Sequence, residues 1–515
     1  MSDVQAGTTN SGFRKAFLWI YPFLLGYYPV FALRNHNIIY VDLPSILRTL
    51  LLVTAGTTVV WLIAYLFIRH LEKASIIVSL VVLSFLSYGH LYSWLEDVLG
   101  TAIRHRYLVG LILLVLVGVA FLVLRREPVA RVMAQFLMTI SVVLLAIVLS
   151  ESVQYDLKVS RASSAAAQEL PGNSQASDAG QLPDFYLIIL DAHTRSDVLA
   201  QRFGYDNSPV IQQLTDMGFY VSSCSQSNYA STKLSLTSAL FADYIENIAP
   251  DEGVLPPLKD GAINRTLEAL GYQTIAFENR AHGHFDLKED VTLSRNEMAF
   301  GKVDLRGGLS EFETMMIDTS FMRFVVDTEL IPGFDQDTLQ EWELWEHYYQ
   351  TLFILDELAK LPDTPGPKFV FAHLMVPHTP FIFASDGSFK RNTNPIEGYA
   401  ANTEFIDTRL PSLLKTIIDR SDQPPVIIVM GDHGPSTRKT ITKEMRMATF
   451  NAYYVDEEAR TRMYPTMTPI NAFRIILNAH FGEDLPLLED KSIYAYKQEQ
   501  LEDAESISSD CQPSP

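Results

Sequence analysis

Cysteine is scarce in this chain: 515 residues contain two, Cys224 and Cys511. So small a supply excludes a fold built on a disulfide framework, and Cys511 sits in a polar stretch. The count fits either a reducing compartment or an envelope protein whose core folds without covalent staples. Positive charge is also in short supply. Lys and Arg number 40 against 60 Asp and Glu, a net charge of −20, which argues against nucleic acid as a partner because its phosphates would be repelled. A phosphorylated substrate is not excluded, since a bound divalent cation reverses the local sign. Long apolar runs are rare after residue 150, and no internal repeat follows them.

What is present begins with five stretches close to the length that a bilayer core requires. They are Ala16–Leu33, Ile46–Ile68, Ala74–Trp94, Tyr107–Leu124 and Val129–Leu149. With the N-terminus inside, inner segments carry Arg14, Lys15, Arg69, Lys73, Arg125, Arg126 and Arg131. Outer ones carry only Arg34, Arg48, Arg104 and Arg106. The positive-inside rule therefore predicts a cytoplasmic N-terminus, and five crossings leave everything after Ser150 outside. Residues 1–150 thus read as a helical membrane domain. Residues 151–183, small and polar with Pro and Gly, read as a flexible tether. Residues 184–488 read as a globular domain and 489–515 as a frayed, disordered tail.

Within the globular part, Phe185–Leu190, Lys368–Val376 and Val426–Met430 are short, β-rich and apolar on both faces, as buried parallel strands are. Pro209–Met217 and Ile263–Leu270 read as helices closing on a glycine before the next strand. The alternation predicts an α/β domain with a mainly parallel sheet covered on both faces. Ligands in such sheets bind beyond the carboxyl ends of the strands. There the sequence places Asp191, His378, and Asp432-His433 between Gly431 and Gly434.

An Asp after a strand also serves as a helix N-cap, so Asp191 alone is ambiguous. Asp432-His433 is more specific: the glycines are expected to let the backbone turn sharply, and a carboxylate with an imidazole suits Zn²⁺ or Mn²⁺. In SNYASTKLSLTSAL a helix is expected to start near Ser231 or Thr232, where free N–H groups favour an alkoxide or a phosphate. Spacing alone does not separate Ser231, Thr232 and Ser235 as nucleophiles, and by spacing a hydroxyl that merely caps the helix is the preferred reading. His378, in a loop braced by Pro377 and Pro380, is placed to contact a phosphate, protonate a leaving group or ligate a metal. His373 lies within its strand and reads as a core histidine. Arg280, His282 and His284 could line the same edge as substrate-binding residues, or form a solvated loop.

LDAHTRSD, GYDNS, SNYASTKLSL, HLMVPHTPF and GDHG, in this order, resemble the membrane-anchored, sulfatase-like branch of the alkaline phosphatase superfamily. That branch includes lipoteichoic acid synthases and phosphoethanolamine transferases. The similarity covers about residues 184–481 and extends to the anchor. It implies that Asp191, Thr232, Asp432 and His433 are metal ligands, Thr232 being also the nucleophile, and that His378 contacts the phosphoryl group. It implies a phosphoryl-group transferase at the outer face of a bacterial inner membrane. A phospholipid headgroup would pass through phospho-threonine to an envelope glycan or lipid acceptor. Cys224 lacks the Pro and Arg of the C-x-P-x-R context in which true sulfatases form their nucleophile, which disfavours that route. Two alternatives remain open: a phosphoesterase that hydrolyses with the same site, and a non-catalytic membrane binding or transport protein.

Overall fold

The computed structural model describes residues 6–39, 41–100, 103–169, 182–249, 254–278, 287–295, 299–300, 303–304, 309–436, 441–509 and 511. The chain divides into two compact units. One comprises Met1–Asp156, Arg280–His284 and Asn296–Glu343; the other comprises Leu157–Asn279, Phe285–Arg295 and Leu344–Pro515.

The first unit holds α1 (Ala6–His36), α2 (Leu47–Ile68), α3 (Leu71–Leu99), α4 (His105–Arg125) and most of α5 (Glu127–Glu169). Among the described residues, four helices are long and apolar enough to cross a membrane: Pro44–Ile68, Leu71–Leu99, His105–Arg125 and Glu127–Ser164. The first expected span falls within α1, which carries Pro22 and Pro29 and is not one of the four. The expected tether needs correcting, because α5 runs through it as far as Glu169. Ala, Gln and Glu in RASSAAAQE favour the helix, and Pro171 lies just beyond its end.

A second correction concerns Asn296–Glu343, which groups with the membrane helices instead of the globular domain. Its helix Glu311–Thr319 buries Phe312 and Met316 with Val30, Ile46, Val82 and Leu86. Glu313 pairs with Arg48 at the start of α2, and closes a capping box with Ser310. Phe321 N–H donates to Phe85 O at 2.7 Å. A Cβ at Gly89 would collide with the Asp318 carbonyl, so glycine alone permits this approach. Arg323 bonds to Glu96 near the end of α3, and Asp327 to His105 at the start of α4. One segment thus meets the start of α2, the end of α3 and the start of α4, which consecutive crossings would place on one side.

In the second unit the sheet contains β1 (Phe185–Leu190), β2 (Tyr220–Val221), β3 (Gln273–Phe277) and β4 (Val291–Leu293). A separate antiparallel pair, β5 (Ala299–Phe300) and β6 (Val303–Asp304), lies in the first unit. The sheet continues with β7 (Lys368–Leu374), β8 (Val426–Met430) and β9 (Asn451–Tyr454), in the order β2-β9-β8-β1-β7-β3-β4. The three strands expected to carry the site are therefore adjacent, with β1 parallel to both β7 and β8. The sheet is mixed, since β9 and β2 pair antiparallel at one edge.

Along β1, Phe185, Leu187 and Ile189 enter one apolar cluster, while Tyr186, Ile188 and Leu190 enter another. The first is covered by helices Thr232–Phe241, Ala262–Ala269 and Pro469–Phe481; the second by Ser208–Asp216 and Pro395–Arg420. Each large apolar side chain so buried contributes roughly 1.5–3 kcal/mol, which is why these runs take the centre of the sheet.

The frayed tail expected after residue 488 is also corrected. Ile493 N–H donates to Asn228 O at 2.8 Å, and Ala230 N–H donates to Ala495 O at 3.1 Å. Ala495 is fully buried and Ile507 nearly so. A few apolar residues spaced among polar ones suffice when another loop supplies their partners. Cys511 closes the strap with a disulfide to Cys224, so the two cysteines form a bridge although they form no framework.

Candidate active site

The carboxyl ends of β1, β7 and β8 deliver the acidic and histidine side chains to one point. Leu190 registers with Leu374 and Ile189 with Met430, so Asp191 and Asp432 leave the sheet side by side. Asp191 N–H still bonds to Leu374 O at 2.9 Å, which fixes where its side chain departs. Ala192 then takes a left-handed backbone, φ +64°, at a cost of about 1 kcal/mol for a residue with a Cβ. Its N–H donates to Asp432 Oδ1 at 3.0 Å, and its carbonyl accepts from Tyr399 OH at 2.7 Å.

The glycines around Asp432-His433 serve a purpose other than the expected turn. Neither has a left-handed backbone. A Cβ at Gly431 would strike the His193 carbonyl, and one at Gly434 would strike the Met445 carbonyl. They permit close backbone contact.

Asp191, Asp432 and His433 are all buried, and one ligand atom of each lies within 4.8 Å of the others. His433 Nδ1 faces Gly434 O at 3.0 Å, so the proton sits on Nδ1 and Nε2 turns a lone pair toward the acids. Nε2 lies 3.4 Å from Asp432 Oδ2 and 3.9 Å from Asp191 Oδ1. Burial, followed by the Arg446 charge, pushes His433 down to about 4, so it is neutral. Asp432 Oδ2 is buried and makes no hydrogen bond. Two buried carboxylates beside a neutral imidazole form a donor set that fits a divalent cation.

Thr232 completes the cluster. It is the first residue of its helix, and its Oγ1 lies 3.2 Å from His433 Nε2. Ser231 is the N-cap, with a buried hydroxyl that makes no hydrogen bond, and Ser235 Oγ donates to Tyr229 O at 2.8 Å. Of the three hydroxyls, Thr232 is the one joined to the acidic cluster. His378 stands beside it: its N–H bonds to Asp191 O at 3.1 Å, and its ring centroid lies 6.5 Å from that of His433.

Residues 183–478, more than half of the chain, match the family described as Sulfatase. The chain belongs to the sulfatase family. No curated protein matches it. Solved structures similar to this sulfatase-family chain include the C-terminal periplasmic domain of EcEptC from Escherichia coli in complex with Zn. That match has 13% identity and a TM-score of 0.42, covering 64% of this chain and 95% of the other. The periplasmic domain of the phosphoethanolamine transferase EptC from Campylobacter jejuni matches at 12% identity and a TM-score of 0.37, covering 59% and 91%. BT1596, a 2-O glycosaminoglycan sulfatase, matches at 11% identity and a TM-score of 0.38, covering 64% and 76%.

Several supporting residues escape a reading of the sequence. His373, expected to be a plain core histidine, is buried in β7 with Nε2 3.1 Å from Asp191 Oδ2. His193 faces Thr194 O at 3.1 Å and Asp407 Oδ1 at 2.8 Å, both within the core. Arg446 is buried and joins two loops, donating to Ala230 O at 2.7 Å and to Gly434 O at 2.8 Å. His347 Nε2 is buried without a hydrogen bond; burial, then nearby His378, holds this histidine down at about 4. Burial also brings the Lys233 ammonium down to about 8. Only the LDAHTRSD motif offered a signal, by placing His193 two residues after Asp191. Arg280, His282 and His284 lie outside the described residues.

A histidine bonded to a ligand carboxylate orients it for a metal. His373→Phe is expected to weaken divalent-ion affinity about 10–100-fold while the domain still folds. Ion titration of metal-stripped protein, with circular dichroism as the fold control, checks this.

Proposed function

We propose that this chain is a membrane-bound phosphoryl-group transferase that moves a phospholipid headgroup to an envelope acceptor through Thr232. The observation that carries the reading is the meeting of Thr232 Oγ1 with the buried Asp191, Asp432 and His433 set. A divalent cation held by these three side chains and Thr232, Zn²⁺ or Mn²⁺ by donor type, would supply positive charge that lowers the hydroxyl pKa and offsets the phosphoryl oxygens.

Thr232 Oγ1 attacks the phosphorus of the donor, the phosphorus–oxygen bond to the lipid alcohol breaks, and the alcohol leaves with a proton. An acceptor hydroxyl then attacks phospho-threonine and restores Thr232. The helix beginning at Thr232 directs free N–H groups toward the phosphoryl oxygens. His378 contacts the same oxygens or protonates the leaving group. The sulfatase route is disfavoured by Cys224, which is bonded to Cys511 and is not available as a nucleophile precursor.

Four membrane-capable helices and a disulfide that persists in an oxidising compartment support a place in the bacterial inner membrane. There α1 is the fifth crossing and the catalytic unit faces the periplasm. The anchor keeps the enzyme where a lipid donor is found. Mass spectrometry of the purified protein incubated with phosphatidylethanolamine or phosphatidylglycerol is expected to find the headgroup phosphate on the peptide containing Thr232. Adduct formation followed by release of free headgroup phosphate, whatever acceptor is added, would make the enzyme a hydrolase. Absence of both adduct and turnover would favour a non-catalytic binding protein.

A further inference from the structure

The stretch Thr328–Phe334 places Leu330 and Ile331, 61% and 51% exposed, next to each other at its tip. Beyond α5, the described residues expose one other large aliphatic side chain, the isolated Leu487. Burying an apolar pair is favourable and exposing one in water is costly, so a formed, adjacent pair calls for a partner. The tip is formed. Leu330 N–H donates to Val325 O at 3.0 Å and Phe334 N–H to Ile331 O at 3.0 Å, while Phe334 packs with buried Ile317, Val326 and Leu339.

Its position names the occupant. Asp327, three residues before Leu330, bonds to His105 Nε2 at 3.0 Å, and His105 opens a membrane-capable helix. Arg323 bonds to Glu96 Oε2 at 3.0 Å near the end of another. At this level Trp94 and Tyr107 are exposed, as the aromatic residues of a membrane–water belt are. Trp342 is exposed in the same unit.

We infer that the tip of this turn enters the headgroup region of the outer leaflet, with a lipid surface as its partner. Glu329, exposed just before the pair, keeps its charge in water, which limits the depth to the interface. The contact is separate from phosphoryl transfer and stands whether or not Thr232 is a nucleophile.

The test uses the full chain in vesicles of phosphatidylethanolamine and phosphatidylglycerol. Ile331→Cys carries an environment-sensitive fluorophore, with Asp419→Cys as a water-facing control; the native cysteines are bridged and do not react. The Ile331 probe is expected to emit to the blue of the control and to be shielded from iodide. Lipids brominated near the headgroup end should quench it at least about twofold more than the control. Emission matching the control overturns the inference. So does a shielded probe that brominated lipids leave unchanged, which would put a protein neighbour on the tip. Leu330→Cys reports the same outcomes if Ile331→Cys fails to fold.

Discussion

Thr232→Ala is expected to lower phosphoryl transfer by about 10³-fold or more, roughly 4 kcal/mol of transition-state stabilisation, with little change in fold. The reason is positional. Thr232 begins its helix and its hydroxyl lies 3.2 Å from His433 Nε2, whereas the methyl group it leaves behind fits the same space. No neighbouring hydroxyl substitutes for it. Ser235 is committed to Tyr229 O, and Ser231 lies at the N-cap without a hydrogen bond to the cluster. Ser231→Ala is therefore expected to keep activity within about threefold of the parent, since it removes no interaction with the reacting atoms. Steady-state rates with a labelled phospholipid, alongside circular dichroism, decide the matter. Full activity in Thr232→Ala would exclude it as nucleophile.

Asp432→Asn should have an effect as large and of two signs. Asp432 Oδ1 accepts from Ala192 N–H and His433 N–H, bonds that an asparagine oxygen can keep. Oδ2 instead faces the lone pair of His433 Nε2 at 3.4 Å, with Asp191 beside it. An amide nitrogen there donates to His433 and removes one of two crowded negative charges. Metal-stripped Asp432→Asn is expected to melt higher than metal-stripped parent, by about 2–4 °C per kcal/mol relieved. The variant should also lose the stabilisation that a bound ion gives, about 2.7 kcal/mol at a hundredfold excess over Kd. Activity falls with it, because function here is held against stability. Thermal melts with and without Zn²⁺ or Mn²⁺ check both signs. A variant that melts lower when stripped, yet still gains from metal as the parent does, would show that Asp432 neither crowds the site nor holds the cation.

The centre of the sheet was legible because FYLIIL, KFVFAHL and VIIVM are too short and apolar for anything but buried strands. Asp191, Asp432 and His433 followed, since residues just past such strands meet at one edge. Thr232 was separable from Ser231 and Ser235 by resemblance alone, not by spacing or composition. His373 was not legible: a histidine in an apolar strand looks the same whether or not Asp191 faces it. The allegiance of residues 296–343 was hidden as well, because Gly89 reveals its purpose only when the Asp318 carbonyl lies against it. The strap after residue 490 was missed for a related reason. Its apolar residues are few, and their cover comes from a loop 263 residues earlier.

That separation has a temporal side. The loop holding Thr232 is synthesised long before Ile493, Ala495 and Cys511, yet it bonds to them through Asn228, Ala230 and Cys224, just ahead of the hydroxyl. Under the proposed periplasmic placement, the loop reaches the outer side with its partners still on the far side of the bilayer. On that placement the Thr232 loop is completed only once the C-terminal strap has followed it across.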